Sequence, residues 1–295
     1  MKNKAKKIIP VILCVLLFLN VLALTGYAAS AVEKNDKAQI DYTDCNKTGV
    51  IKAKSLINTD KKLKVIISKG DDKYTYDLKN DMAEESFPLQ LGDGTYSVKV
   101  YTNIKGTQYS TTLAANIEVK LEDANAPFKN ASQTVNFTKD SKTIQKANEL
   151  AKDCKTDLEK VQKIYNYVIE AMTYDKEKAK NAQEGKLTGY VPDIDAVISA
   201  KQGICYDYAA VLAAMLRSQG IPAKLVKGYV APDGAYHAWN EFYLAGVGWF
   251  KINEMKFEGK EFERVDPTFD SSSKSNAKTM EFIGDGTKYQ KASEY

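Results

Sequence analysis

Apolar and polar residues alternate along much of the chain between residues 50 and 121. The apolar positions of three such runs are Leu63, Val65 and Ile67; Tyr96, Val98 and Val100; and Ile117, Val119 and Leu121. Alternation with period two is typical of strands that bury one face. The turns between the runs carry glycine and aspartate, which accept positive φ angles or cap themselves. The pattern predicts a small all-β, sandwich-like domain over residues 32–121.

The spacing of apolar residues becomes helical beyond residue 142. A helix is predicted from Thr143 to Cys154, and a longer one follows with an apolar face made of Leu158, Val161, Ile164, Tyr165, Val168 and Met172. The polar segment 122–141 is predicted to be a linker. Residues 175–192 contain several lysines and are predicted to form a long mobile loop that borders a cleft.

A third helix is predicted to begin at Cys205, within the run Gly-Ile-Cys-Tyr-Asp-Tyr-Ala of residues 203–209. It is amphipathic, Gly220 ends it, and Pro222 prevents its continuation. Strands are predicted after it over residues 223–230, 235–244, 248–252 and 262–265. Helices followed by antiparallel strands indicate an α+β domain, with predicted bounds 142–295.

The first 31 residues have the layout of a secretory signal peptide. Four lysines precede an apolar run from Ile8 to Leu24, and small residues follow up to Ala31. Pro10 and Asn20 interrupt the run, which favours cleavage over an uncleaved membrane anchor. We therefore expect a secreted or cell-surface protein with no permanent membrane span.

The charge balance changes once the signal segment is removed. The full chain has 42 basic and 38 acidic residues, and removal of the four lysines leaves 38 of each. The apparent basicity therefore belongs to the export signal. It does not indicate nucleic acid or an acidic surface as a partner.

Three cysteines remain after removal of the signal segment: Cys45, Cys154 and Cys205. An odd number in an oxidising compartment leaves at least one thiol free or bound to another molecule. The simplest interpretation leaves Cys205 free for chemistry. Cys45 and Cys154 are then either bridged or both unpaired.

The candidate chemistry involves Cys205, His237 and Asp266. A thiol in the first turn of a helix lies beside unpaired backbone N–H groups, which favour the thiolate. His237 is the only histidine of the chain, so any role of imidazole as acid or base falls to it. Asp266 would hold the imidazole in one tautomer. Taken singly, each residue also has an ordinary structural interpretation: a small buried apolar residue, a packed histidine and an Asp-Pro turn.

Four sequence blocks together resemble the transglutaminase-like superfamily, in particular its exported bacterial members. The blocks are Gly203–Ala209, Gly220–Ala223, His237–Glu241 and Val265–Asp270, in the order of the family. The resemblance implies a papain-like fold in which a helix carrying the cysteine packs on a sheet carrying histidine and aspartate. It implies Cys205 as nucleophile, His237 as its acid/base partner and Asp266 as the residue that orients His237.

The chain departs from the family pattern in two respects. Asp266 follows His237 by 29 residues, where many relatives have about fifteen, and Asn253 occupies the nearer position. We favour Asp266, because Asp-Pro-Thr-Phe matches the family motif and residues 254–261 resemble an inserted hairpin. Animal transglutaminases also place a tryptophan before the cysteine, near the oxyanion. Gln202 and Tyr174 are the candidate replacements here, whereas Trp239 either lines the cleft or packs.

The leading functional hypothesis is an exported cysteine acyl-transfer enzyme that acts on protein or peptide amides through a thioester. A cysteine peptidase or amidase with the same triad is the nearest alternative. A non-catalytic cell-surface or wall-associated binding protein is the alternative of a different class. No cofactor or metal is expected, because the single histidine and the scattered cysteines lack the spacing of metal ligands.

Overall fold

The structure is a computed structural model that describes residues 31–230, 234–250, 256–257, 260–261 and 289–295. The chain from Ala31 onward forms one compact unit. The predicted signal segment up to residue 30 lies outside the described residues, as do the strand predicted at residues 262–265 and Asp266. The domain bounds and the secretory signal therefore stay predictions.

The N-terminal region is a β-sandwich of two antiparallel sheets. One sheet has the order β1-β2-β3-β6 and the other the order β5-β4-β7-β8. The strands are β1 (Val32–Lys34), β2 (Ala38–Asp41), β3 (Val50–Ser55), β4 (Leu63–Lys69), β5 (Asp72–Leu78), β6 (Glu85–Pro88), β7 (Gly94–Lys105) and β8 (Gln108–Val119). A short helix, α1 (Cys45–Thr48), joins β2 to β3.

The period-two pattern explains this sandwich. Val65 pairs with Val100 and Ile67 with Val98 across β4 and β7, and all four side chains are buried. They join Phe87 and other residues of the facing sheet in a single hydrophobic core. Gly70 and Gly106 take positive φ angles at the two hairpin turns, as the turn chemistry requires. The prediction of an all-β sandwich is confirmed.

The segment between the sandwich and the helices is held in place by both side-chain and backbone hydrogen bonds. It includes a 3-10 helix, Ala126–Phe128, whose three residues are buried. The Gln133 backbone N–H donates to Ser86 O at 2.7 Å, and its side-chain amide donates to Asp77 O at 2.6 Å. These bonds connect the segment to β6 and β5, so that it packs against the sandwich.

The C-terminal region consists of helices packed on a further antiparallel sheet. The helices are α2 (Lys142–Ala151), α3 (Asp157–Ala171), α4 (Lys176–Gln183), α5 (Ile194–Ala200) and α6 (Cys205–Ser218). The strands are β9 (Thr173–Tyr174), β10 (Gln202–Gly203), β11 (Ala223–Val230), β12 (Ala235–Leu244), β13 (Gly248–Phe250), β14 (Lys256–Phe257), β15 (Lys260–Glu261) and β16 (Tyr289–Glu294). The main sheet has the order β13-β12-β11-β16, and β14 pairs with β15 as a separate antiparallel ladder. This arrangement confirms the predicted α+β class.

Helix α6 forms the centre of this region. Every residue from Tyr208 to Leu216 is fully buried, because α2, α3 and α5 pack on one side of the helix and β11 and β12 on the other. The prediction of an amphipathic helix with one apolar face is therefore wrong in this respect. A helix that is apolar all round is a core helix. Gly220, at φ 77°, follows its end as predicted.

The prediction of a loop over residues 175–192 is also wrong in part. Helix α4 occupies residues 176–183, and the Asp175 carboxylate caps it by accepting from Lys178 N at 2.8 Å. The sequence Lys-Glu-Lys-Ala-Lys-Asn-Ala-Gln consists largely of good helix formers. It buries no residue, so it lacks the apolar stripe by which an amphipathic helix is recognised.

Candidate active site

Cys205 is the first residue of α6, as predicted. Ile204 precedes it in an extended conformation, and the Ile204 backbone N–H donates to the Asp207 carboxylate at 2.8 Å. Gly203 makes this geometry possible: a Cβ there would lie 2.7 Å from Asp207 Cβ and 3.1 Å from Met172 Cε. The thiol itself is half-buried. The first turn of α6 therefore presents Cys205 at a helix N-terminus, where backbone N–H groups favour an anion.

The two side chains considered for the oxyanion lie immediately before this turn. Gln202 and Tyr174 belong to the short parallel ladder β9–β10, in which Gly203 pairs with Tyr174 and Gln202 with Thr173. The Asp175 N–H donates to Gly203 O at 2.9 Å and holds the two segments together. Gln202 is exposed and Tyr174 half-buried. Both are next to Cys205 in the fold, and a role in oxyanion binding stays a prediction.

Asp207 belongs to a buried polar cluster at the start of α6. Its side chain is fully buried, and Lys178 Nζ donates to one carboxylate oxygen at 2.7 Å. The Tyr190 hydroxyl donates to the other oxygen and accepts a bond from Lys178 at 2.6 Å. Burial raises the pKa of Tyr190, and the neighbouring Asp207 carboxylate raises it further, so Tyr190 remains a donor. We call Lys178, Tyr190 and Asp207 the buried cluster.

A second lysine lies close to the thiol. Lys227, on β11, places its Nζ 3.6 Å from the centroid of the Tyr206 ring and 5.2 Å from that of Tyr295. Burial lowers the pKa of Lys227 to about 8, while attraction to Cys205 acts in the opposite direction. Lys227 thus supplies a cationic group beside Cys205.

Tyr229 and Tyr236 form an exposed aromatic pair on the same side. Their ring centroids lie 5.4 Å apart, and each side chain is about half exposed. Burial raises the pKa of Tyr236, with the charges of Tyr295, Tyr229 and Cys205 adding to it. The surface beside Cys205 therefore carries aromatic rings as well as the Lys227 ammonium.

His237 lies at the same end of the helix–sheet layer as Cys205. Helix α6 and strand β12 run in the same direction, because Asn240 Nδ2 donates to Ala209 O at 2.9 Å near the start of α6. At the other end of the helix, Arg217 Nε donates to Ala223 O at 2.8 Å, and Ala223 pairs with Phe242. The thiol and the imidazole are thus carried to one edge of the domain.

Strand pairing and alternation fix the face of β12 on which the His237 side chain lies. His237 pairs with Gly228 across β12 and β11, and its ring centroid lies 6.5 Å from that of Tyr289. Strand alternation puts His237 on the face opposite to that of Ala238 and Asn240, which pack on α6. The catalytic pairing stays a prediction, and Asp266 and its alternative Asn253 lie outside the described residues.

Trp239 shares the face of His237 and is packed. It is 2% exposed and forms a small core with Val226 and Tyr289, whose ring centroid is 5.2 Å away. Gly228 gives it room, since a Cβ at that residue would lie 2.8 Å from Trp239 Cη2. Of the two roles considered for Trp239, the structure favours packing.

A cleft of about 870 Å³ runs between the sandwich and the helical region. Tyr206 and Lys227 line its wall next to Cys205. Its other walls come from β5 and β6, the connecting segment and the loop before α5, including Asp77, Glu85, Gln133, Phe137, Tyr190 and Asp193. Binding clefts of this size hold ligands of a few hundred Å³ and more. The sandwich thus forms one wall of the cleft that Tyr206, the chain neighbour of Cys205, lines on the other side.

Three further predictions concern the pairing of the cysteines, metal binding and membrane spans. Cys45, Cys154 and Cys205 all carry free thiols, so the alternative of an unpaired Cys45 and Cys154 is the one seen. Within the described ranges no group of three or more His, Cys, Asp or Glu is arranged to hold a metal ion. No helix among these residues has the length and apolarity to cross a bilayer.

Sequence reasoning missed the roles of Lys178, Tyr190, Asp207 and Lys227. Asp207 gave one signal, since an acid two residues beyond the cysteine occupies a helix start whose neighbours are apolar. Lys227 also had a recognisable signal in the sequence, because it shares the strand face of the buried Leu225. Lys178 and Tyr190 gave none, because they lie in a polar segment whose contacts arise only on folding.

Comparisons with known proteins find a family that the helical region and part of its sheet match. Residues 144–253 match the family model described as the transglutaminase-like superfamily. A protein-glutamine gamma-glutamyltransferase of Pseudomonas aeruginosa is 34% identical over 71 residues, which make up 20% of this chain and 11% of that protein. This chain thus spans about a tenth of the curated relative that it matches.

Solved structures show a more distant likeness. A candidate cysteine protease from Cytophaga hutchinsonii has a TM-score of 0.38 at 17% identity, over 72% of this chain and 68% of that one. Red sea bream transglutaminase has a TM-score of 0.29 at 11% identity, over 83% and 55%. The family match is confined to residues 144–253. With Cys205 and His237 inside those residues, the chain carries a domain of the transglutaminase-like superfamily, whose members are cysteine enzymes.

Proposed function

We propose that this protein is an exported cysteine acyl-transfer enzyme that acts on amides of proteins or peptides. The observation that carries the proposal is the position of Cys205. It is the first residue of a buried helix inside the family-matched domain, and its neighbours Tyr206 and Lys227 line a cleft. Helix N-terminus and cation both favour the nucleophilic thiolate.

The reaction has two half-reactions. The Cys205 sulfur attacks the amide carbonyl, the C–N bond breaks, and His237 gives a proton to the leaving amine, so that a thioester remains. An incoming amine or water then attacks the thioester and loses a proton to His237, the C–S bond breaks, and the Cys205 thiolate is released. Asp266 would hold the imidazole in one orientation. The Cys205 backbone N–H would stabilise the oxyanion, at roughly 3 kcal/mol per donor.

The cleft supports a polypeptide as the substrate. It is open between two regions, polar on the sandwich side and aromatic near Tyr206, and it is of the size that a few residues of extended chain require. Enzymes of this superfamily act on protein substrates. Export through residues 1–31 places the reaction outside the cytoplasm, with secreted or cell-surface proteins as the substrates.

The test is incorporation of a labelled primary amine into secreted or cell-surface proteins, read by mass spectrometry. We expect label on glutamine side chains with the wild-type chain and none with Cys205→Ala. Cys154→Ala is the matched control, since it removes another free thiol outside the cleft, and it keeps full activity.

Each other outcome has a definite meaning. Cut chains without amine incorporation identify a peptidase, and conversion of glutamine to glutamate identifies water as the acceptor. Activity that survives in Cys205→Ala refutes the nucleophile. A folded wild-type chain that neither transfers nor hydrolyses is a binding protein on the same scaffold.

A further inference from the structure

The cleft wall carries one positive charge that no described residue balances. Lys227 lines the cleft, and its Nζ lies 3.6 Å from the centroid of the Tyr206 ring and 5.2 Å from that of Tyr295. Among the residues that the structure describes, none pairs with this ammonium as a carboxylate or accepts a hydrogen bond from it. An ammonium has three donors, and donors that are removed from water without acceptors destabilise the fold.

The other charged side chains that line the cleft already have partners. Each accepts from a lysine, donates to an acid or caps a helix: Asp77 binds Lys64 at 2.7 Å, Glu84 binds Lys52 at 3.2 Å, Glu85 lies 4.0 Å from Lys79, Asp193 accepts from Ala196 N at 3.1 Å, and Asp195 accepts from Thr143 N at 2.8 Å. Asp207, the acid closest to Cys205 in α6, is held by Lys178 in the buried cluster. Within the described ranges, Lys227 is thus the exception among the charges of the cleft.

The position of Lys227 is unfavourable for stability and close to the proposed chemistry. Burial lowers its pKa to about 8, so the folded chain is destabilised while the lysine stays charged. Residues that break the rules of stable packing are found mainly at functional sites. Lys227 touches the ring of Tyr206, the chain neighbour of Cys205, and interacts electrostatically with Cys205 itself. A bound anion would supply the partner that the described residues do not.

We propose that Lys227 forms a carboxylate-binding subsite of the cleft, and that the substrate is a polypeptide with a carboxylate close to the reacting amide. The inference rests on the proposed acyl-transfer function, because it specifies the substrate of that site. The Lys227 ammonium donates to the substrate carboxylate, and the rings of Tyr206 and Tyr295 keep water from one side of the pair, which strengthens it. An acidic side chain and a terminal carboxylate share this chemistry.

The test is isothermal titration calorimetry with the full chain carrying Cys205→Ala, at pH 6.5, where Lys227 is charged. The ligands are short glutamine peptides blocked at both ends, with an aspartate at successive positions beside the glutamine, and their asparagine counterparts. At the matching position the aspartate peptide is expected to bind about tenfold more tightly, as a charge-assisted hydrogen bond provides. A neutral peptide with a free C-terminus, compared with its amidated form, tests the terminal carboxylate.

Variants of Lys227 show whether this residue causes the preference. In the Cys205→Ala background, Lys227→Met is expected to lose the tenfold preference, because methionine keeps the length of the side chain without its charge. Lys227→Arg retains it, because a guanidinium also binds a carboxylate. Lys105→Met is the matched control: it removes an exposed lysine outside the cleft and keeps the preference. Lys227→Gln takes the place of Lys227→Met if the methionine variant does not fold.

The outcomes separate the two sources of the carboxylate. A preference for an aspartate peptide identifies an acidic side chain, a preference for the free C-terminus identifies a terminal carboxylate, and each supports the subsite. Equal binding of all charged and neutral peptides, or no binding of any, overturns the proposal. So does a preference that Lys227→Met retains, because another group then recognises the carboxylate.

Binding to the Cys205→Ala chain needs no turnover, so failure of the proposed function is seen separately. A Lys227-dependent preference in a protein whose wild-type form transfers no acyl group refutes the enzyme and retains the subsite. Acyl transfer by the wild-type chain without any preference for charged peptides refutes the subsite alone.

Discussion

Replacement of Lys227 by methionine should make the protein more stable and its thiol less reactive. Lys227 is charged in the unfolded chain below pH 10.5, whereas burial lowers its pKa in the folded chain to about 8. Burial of the charged Lys227 therefore lowers the free energy of unfolding at every pH below 8. This destabilisation fades as pH rises from 8 to 10.5. Methionine has a similar length and no charge to desolvate.

The size of this effect follows from the two pKa values. Their difference corresponds to at most roughly 3 kcal/mol. Attraction between the ammonium and the Tyr206 ring, 3.6 Å away, offsets about 1–2 kcal/mol of it. We expect Lys227→Met to raise the free energy of unfolding by about 1–2 kcal/mol at pH 6.5, and to raise the midpoint pH of Cys205 alkylation.

The assay is urea unfolding of both proteins between pH 6.5 and 9.5. The stability difference should be largest at pH 6.5 and shrink toward pH 9.5, because the wild-type chain gains stability as Lys227 loses its proton. Lys105→Met, at an exposed lysine of strand β7, is the control and should show no such trend. A variant less stable than wild type at pH 6.5, or a difference that is constant with pH, would refute the reasoning.

Two further predictions concern the elements that hold the site. Gly203→Ala should lower the free energy of unfolding by about 1–3 kcal/mol and slow alkylation of Cys205, because the new methyl group displaces Asp207. Thermal unfolding and alkylation rates measure the two effects, and unchanged values would contradict the prediction. Arg217→Met should lower the free energy of unfolding in urea by about 2–3 kcal/mol. The reason is that the buried guanidinium donates to backbone oxygens of Ala223, Asn130 and Tyr295. A loss below 0.5 kcal/mol would show that water replaces those bonds.

The sequence by itself determined the elements whose signals are local. Period two at Leu63, Val65 and Ile67 predicts a half-buried strand, because alternate side chains point to opposite faces of a sheet. Gly220 and Pro222 end a helix by backbone conformation, because glycine accepts a positive φ angle and proline cannot continue the helix. The order of the Cys, His and Asp blocks was likewise enough to indicate the superfamily.

Only the tertiary structure decided what surrounds the thiol. The pair of Lys178 with Asp207 joins residues 29 positions apart, and nothing local in either segment specifies the partner. The faces occupied by His237 and Trp239 depend on which side of β12 is covered by α6. Burial converts Lys227 from an ordinary strand lysine into a group that titrates near pH 8, because packing on both sides removes the water that would keep it charged.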